Sequence, residues 1–133
     1  MATVSEWFGG RLTGTDRLVL LVLAVLIGLV VVQQLDRAEE RGKREIMRSA
    51  LASFALAQES YFHDHAVYAD DVGDFQDRGY EPLPGTTIRV NEATAIGWSA
   101  TASHRETTAK CFLFVRDAAP IGAATRQGAI RCG

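Results

Sequence analysis

The order of hydrophobic and polar positions divides the chain into three parts, and the first is an apolar run. Leu18–Val32 contains 15 consecutive residues without a charged or polar side chain. Extending this run to Leu35 gives 18 residues, which a helix spreads over ~27 Å at ~1.5 Å per residue. That length nearly matches the hydrocarbon core of a bilayer. We therefore predict a transmembrane helix over 18–35, preceded by an N-terminal interfacial segment over 1–17.

The residues on either side of the run favour a retained anchor. The ring of Trp7 and the guanidinium groups of Arg11 and Arg17 suit the membrane interface. A cleaved secretory signal would need a small-x-small site after its apolar core. The sequence QQLDRAEERGKRE that follows Val32 offers none, so we expect the helix to remain attached.

Beyond Asp36 the apolar residues recur at intervals of three and four, which is the period of an amphipathic helix. We predict that this helix continues from the span over 36–68, because i,i+4 pairs of opposite charge support its first turns. Two helices hinged at Gly42 are the alternative, since a glycine permits either. The predicted buried stripe consists of Met47, Leu51, Phe54, Gln58, Tyr61 and Phe62.

After Tyr80 the period becomes two, which is typical of β-strands. We predict strands over 87–90, 96–101, 111–115 and 129–132, and short connections favour antiparallel pairing. The expected fold class is α+β, with a long N-terminal helix, membrane-spanning and then amphipathic, packed on a four-stranded antiparallel sheet. The αβ loop and sheet over 69–133 would form one globular domain together with 46–68.

Two cysteines bear on stability and on topology. A Cys111–Cys132 disulfide would close a loop of about 20 residues and contribute ~3 kcal/mol; two separate buried thiols are the alternative. A disulfide indicates an oxidising compartment, whereas the positive-inside rule favours a cytoplasmic C-terminal domain. We give the cysteines more weight because acidic residues alternate with the cations after the span, namely Arg37, Arg41, Lys43, Arg44 and Arg48.

Charge and motifs exclude several functions. The net charge is −2 with both signs mixed along the chain, so we expect no nucleic-acid partner. His63 and His65 stand two apart on a helix, which makes them poor co-ligands of a metal, and nothing orients Ser60 and His63 as a hydrolase pair. We expect no enzyme activity and no cofactor, and we leave open whether the loop Asp70–Asp77 binds calcium.

The order of these elements resembles the type IV pilins and pseudopilins. The stretches that resemble pilin sequences are LIGLV in the apolar helix, ALAQESYFHDHAVYADDVGDF at the helix end, and GWSATASH, KCFLFV and GAIRC in the sheet. This resemblance extends over roughly 14–132. It implies a pilin-like fold, a domain outside the cytoplasmic membrane and a C-terminal disulfide between the two cysteines.

The sequence departs from the pilin pattern where precursor pilins are processed. Alignment on the helix glycine places Gly14 at the cleavage position, Thr15 where Phe or Met is usual, and Val19 where the assembly glutamate belongs. We therefore expect neither processing nor filament assembly.

The expected function is that of a non-enzymatic accessory or scaffolding subunit in a larger membrane complex, such as a respiratory or photosynthetic one. It would lie in a bacterial cytoplasmic membrane as a single-pass protein with a periplasmic domain. It would contact other membrane subunits through Leu18–Leu35 and the sheet domain, and the lipid bilayer. A minor pilin or pseudopilin of a type IV pilus or type II secretion system is the alternative.

Overall fold

A computed structural model of the chain describes residues 13–78 and 80–133. Its elements are α1 (Gly14–His65), a 3-10 helix (Val72–Arg78), β1 (Thr86–Ala93), β2 (Trp98–His104), β3 (Lys110–Val115) and β4 (Arg131–Cys132). The chain forms two compact units, Met1–Ala38 and Glu39–Gly133. α1 is a single helix of 52 residues that includes Gly42, so the alternative of two separate helices is wrong.

The sheet has the order β1-β2-β3-β4, and every neighbouring pair is antiparallel. In the second unit, the part of α1 that follows Ala38 packs on one face of this sheet. The predicted α+β class, with a long N-terminal helix on a four-stranded antiparallel sheet, is therefore confirmed.

The predicted strand ends are partly wrong, and the reason is a tight turn between β1 and β2. Thr94 donates its backbone N–H to the carbonyl of Gly97 at 2.8 Å, and its hydroxyl accepts the Gly97 N–H at 2.8 Å. Ile96 and Gly97 consequently belong to the turn, and β1 continues through Ala93. At the other end of the sheet, β4 contains only two residues, so residues 129 and 130 are not in a strand.

The principal core lies between α1 and the inner face of the sheet. Phe54 is its centre, because the ring is fully buried and meets Phe75, Trp98 and Tyr80 edge to face at centroid distances of 5.2, 5.4 and 5.8 Å. Such edge contacts add to the free energy of burial. The other buried apolar residues of this core are Met47, Ala50, Leu51, Tyr68, Ala69, Ile88, Ala100, Ala102, Cys111 and Leu113.

The loop between β3 and β4 builds a second, smaller core on the outer face of the sheet. Phe114, Ala118 and Ala124 are buried there, with Phe112 and Ile121 packed against them. Gly122 lies directly over Phe112, and a Cβ at this position would stand 2.6 Å from the ring. Because Gly122 also has φ of 53°, a glycine fits both the space and the backbone conformation.

Gln58 ties the end of α1 to the segment that follows it. Its amide nitrogen donates to the Ala69 carbonyl at 2.8 Å, and its amide oxygen accepts the Ala69 N–H at 3.0 Å. Both partners are buried. These two bonds satisfy the N–H and the C=O of Ala69, which lies in no strand. They also fix the segment that follows α1, where the chain turns at Ala66 with a φ of 58°.

Replacing Gln58→Ala should lower the free energy of unfolding of the second unit by about 2 kcal/mol, because the N–H and C=O of Ala69 would be buried without partners. Chemical denaturation in mild detergent, followed by near-ultraviolet circular dichroism, measures this change. Ser60→Ala is the matched control at an exposed position two residues further along α1, and an equal loss in both variants would contradict the assigned role of Gln58.

Candidate functional site

The apolar part of α1 exposes all of its large hydrophobic side chains. From Leu18 to Leu35 these side chains are between 45% and 65% exposed, whereas the core helix of a soluble protein buries such residues. α1 is long and apolar enough to cross a membrane, and its most apolar window is not buried by any of the residues that the structure describes. This surface is suited to lipid or to the helices of other membrane proteins, as expected for a single-pass protein.

A capping interaction begins α1 at the N-terminal end of this surface. The carboxylate of Asp16 accepts the backbone N–H of Thr13 at 3.0 Å and the hydroxyl of Thr13 at 2.7 Å. The first helical bond runs from the Arg17 N–H to the Thr13 carbonyl at 3.2 Å. Thr13 and Asp16 thus form the reciprocal half of a capping box, in which a residue of the first turn reaches back to the N-cap.

Sequence reasoning missed this cap, although the pattern T-x-x-D before an apolar run is readable. Asp16 has a second effect, because a negative charge in the first turn favourably opposes the positive end of the helix dipole. Thr15, which departs from the pilin pattern, and Asp16 therefore both belong to the first turn of a helix.

The hydroxyl of Thr13, and then its N–H, hold the pKa of the Asp16 carboxyl below its ordinary value. A group whose pKa is lowered by folding stabilises the folded state above its unfolded pKa of about 4. That contribution is lost as the pH falls through the lower, folded-state pKa.

We therefore expect the first turn of α1 to fray at acid pH. In detergent micelles, hydrogen exchange corrected for intrinsic rates should show lower protection of the amides of residues 17–19 below pH 3 than at pH 6. In the variant Asp16→Asn the difference between the two pH values should shrink. An acid response of equal size in the variant would show that another group is responsible.

The remaining residues of the predicted interface and processing site fall in different places. Trp7 and Arg11 lie outside the described residues. Arg17 is exposed. Gly14 and Thr15 are the first residues of α1, and Val19 is 57% exposed on its surface.

A small pair that sequence reasoning overlooked lies within the apolar segment. Ala24 and Gly28 are four apart in α1 and both are exposed, and a Cβ placed on Gly28 would meet nothing within 4 Å. Pairs of small residues at this spacing allow two membrane helices to approach closely. The spacing of the two residues in the sequence is itself the signal.

The predicted disulfide is present and it fastens the end of the chain to the core. Cys111 and Cys132 are paired across β3 and β4, and Cys111 is fully buried. Its sulfur lies 3.8 Å from the Arg44 carbonyl of α1. Next to it, Lys110 and Gly133 exchange two backbone hydrogen bonds at 3.0 Å each. The bond therefore holds the shortest strand of the sheet against β3.

Charged residues of α1 hold the turn between β2 and β3. Glu40 accepts the hydroxyl of Thr107 at 2.7 Å, and Lys43 donates to the Glu106 carbonyl at 3.2 Å. Lys43 also pairs with Glu39 at 2.8 Å, and the hydrogen bond from Lys43 lowers the pKa of the Glu39 carboxyl. Beside this contact lies an open cleft of about 460 Å³, lined by Glu40, Arg105, Glu106, Thr107 and Thr108.

The groups weighed as metal or catalytic residues are not brought together. The His63 side chain is 89% exposed and lies 3.3 Å from Asp64, whereas His65 stacks on Tyr61 at a centroid distance of 4.1 Å. Ser60 is exposed on α1. Within residues 13–78 and 80–133, no group of three or more His, Cys, Asp or Glu side chains is placed to hold a metal ion.

No protein-family model matches the chain, and no curated protein matches it.

Proposed function

We propose that this chain is a non-enzymatic accessory or scaffolding subunit of a larger membrane protein complex. The apolar segment of α1 is its permanent anchor in a bacterial cytoplasmic membrane, and the second unit lies on the periplasmic side. A respiratory or photosynthetic complex is the class of partner that we favour.

The capping interaction of Thr13 with Asp16 supports this proposal most directly. It connects residues on both sides of the Gly14–Thr15 bond, where a pilin-type peptidase would cut. Cleavage there would remove Thr13 and leave the Asp16 carboxylate without its partner. The helix start is thus better suited to an uncleaved anchor than to a processed pilin.

Two further observations support parts of the proposal. The exposed Leu and Val side chains of α1 offer a wide apolar surface for neighbouring helices or lipid. The small residues Ala24 and Gly28 allow the backbone of another membrane helix to approach α1 closely. The disulfide favours the oxidising periplasm.

The resemblance of element order to pilins supports the second candidate, a minor pilin or pseudopilin. It would use the same helix-on-sheet unit, but the assembly glutamate is absent at Val19. In a bundle of apolar helices, an amine left without that carboxylate would be costly to bury.

Protease accessibility and native purification together test the proposal. If the second unit is periplasmic, a tag placed after Gly133 should be digested by protease added to spheroplasts and protected in inverted vesicles. In mild detergent the chain should migrate with other membrane subunits at a fixed stoichiometry. Recovery in sheared surface filaments, with none in a membrane complex, would contradict the proposal and favour the pilin alternative.

A further inference from the structure

Three cationic residues share the outer face of the sheet, opposite α1. Arg89 of β1, Lys110 of β3 and Arg131 of β4 are all exposed. In the part of the chain that the structure describes, no ion pair joins any of them to a carboxylate. We call these three residues the basic sheet face.

The strand register places Lys110 beside Arg131 and places Arg89 three strands away on the same face. Arg89 is opposite Thr101, Thr101 is opposite Phe112, and Phe112 is opposite Arg131. Three strand spacings separate the two arginines by ~14 Å. Lys110 is two residues from Phe112 and shares its side of the sheet, so it lies diagonally to Arg131 at ~7–8 Å.

The alternation of burial confirms which way these residues face. Ile88 and Cys111 are buried in the core beneath α1, so Arg89 and Lys110, which adjoin them, lie on the opposite face. The nearest acidic residue by register on this face is Glu92, toward the far end of β1. Its carboxylate accepts the Ala119 N–H at 2.9 Å, so it is hydrogen-bonded to the loop between β3 and β4.

An acidic surface lies elsewhere on the same unit. Asp70, Asp71 and Asp74 are exposed in the segment that follows α1, and we call them the acidic loop. Asp71 accepts the Gly73 N–H at 2.8 Å, which holds the turn. No Lys, Arg or His pairs with these three carboxylates among the described residues.

We propose that the basic sheet face of one copy binds the acidic loop of a second copy. Three exposed cations meet three exposed carboxylates, and the two surfaces are different parts of the chain. Such a contact is heterologous, so each copy keeps one surface free and copies join head to tail. This self-association goes beyond the proposed function, which requires only a single copy.

A second copy fits the basic sheet face better than a nucleic acid does. Single-stranded nucleic acids stack their bases on exposed aromatic side chains, but Phe112, the aromatic residue between the cations, lies under Gly122. Exposed ion pairs are individually weak. Copies anchored in one membrane meet at a high effective concentration, which allows a weak contact to form.

Energy transfer between copies in zwitterionic phosphatidylcholine vesicles tests the proposal with the full chain. Donor and acceptor dyes can be attached to Ser53→Cys, an exposed position on α1. We expect transfer above the random level in about 20 mM salt and its loss in about 500 mM salt, where charges are screened within a few ångströms. Transfer at the random level in both salts would overturn the proposal.

Charge reversal identifies the two surfaces. Arg89→Glu with Arg131→Glu, and separately Asp70→Lys with Asp71→Lys, should each weaken association at least tenfold. Mixing the two variants should restore it, because every contact again joins opposite charges. The control, Arg44→Glu with Arg48→Glu, makes the same charge change as the first variant on exposed residues of α1 and should leave transfer within about twofold of the unmodified chain.

Other outcomes would overturn the proposal. Transfer that persists in both reversed variants would assign the contact to the apolar part of α1. Loss in both without recovery on mixing would show that the two surfaces do not meet. Circular dichroism must show all variants folded, and a variant that fails is replaced by Arg89→Gln with Arg131→Gln or by Asp70→Asn with Asp71→Asn, with the same expected loss on its own.

Discussion

Removing the Cys111–Cys132 disulfide should lower the free energy of unfolding of the second unit by about 3 kcal/mol. The two cysteines are 21 residues apart, and the chain-entropy estimate for a loop of this length gives that value. The double variant Cys111→Ala with Cys132→Ala should also lose the protection of the Lys110 and Gly133 amides, since β4 contains only two residues. Chemical denaturation in mild detergent, followed by Trp98 fluorescence in a Trp7→Phe background, measures the loss.

Reductant supplies the control for this prediction. It should bring the unmodified chain close to the stability of the double variant and leave the double variant unchanged. Without reductant, the mass of the native protein should not change on alkylation. Two alkylated thiols, or no effect of reductant on stability, would contradict a structural role of the disulfide.

Replacing Phe54→Ala should destabilise the second unit by about 3–5 kcal/mol, which is the usual cost of removing a buried aromatic ring. Phe54 is fully buried and contacts three other aromatic rings, so the cavity would lie at the centre of the core. Phe54→Leu, which keeps most of the volume, should cost less. The same denaturation experiment measures all variants.

Leu56→Ala is the matched control, because Leu56 is two residues away on α1 and is 75% exposed. Its effect should be below about 0.5 kcal/mol. Equal effects at Phe54 and Leu56 would mean that α1 does not pack on the sheet through the face described here.

The architecture was predictable because periodicity alone determines most of it. An apolar run, a segment with a period of three and four, and a segment with a period of two follow one another along the chain. The first two segments form α1, and the third contains the four strands. The stripe that begins at Met47 faces the sheet, as the helical spacing predicts.

Contacts between distant residues were not predictable in the same way. The ends of β1 and β2 depend on the hydrogen bonds of Thr94 with Gly97, and a Cβ on Gly97 would collide with the Val115 carbonyl of β3. Gln58 fits the buried stripe by spacing, but its partner Ala69 lies 11 residues further along, beyond the helix. Periodicity carries no information about such partners.

At the start of α1, the sequence contains a helix-capping signal that is easily overlooked when the same residues are aligned with the pilin pattern. Against the pilin pattern, Thr15 is a departure from the residues expected at a processing site. Read as local structure, Thr13 and Asp16 are a helix start, with hydrogen bonds of 2.7 and 3.0 Å. Residues that depart from the pilin pattern thus have a structural role of their own at the beginning of α1.

The intact mass of the native protein, purified from membranes, tests the central claim that α1 is a permanent anchor. We predict a chain that retains Thr13 and Gly14 ahead of Thr15, with no methyl group on the amine of Thr15. A mature chain that begins at Thr15 and carries an N-methyl group would contradict the claim, because the cap of Asp16 would then have been removed.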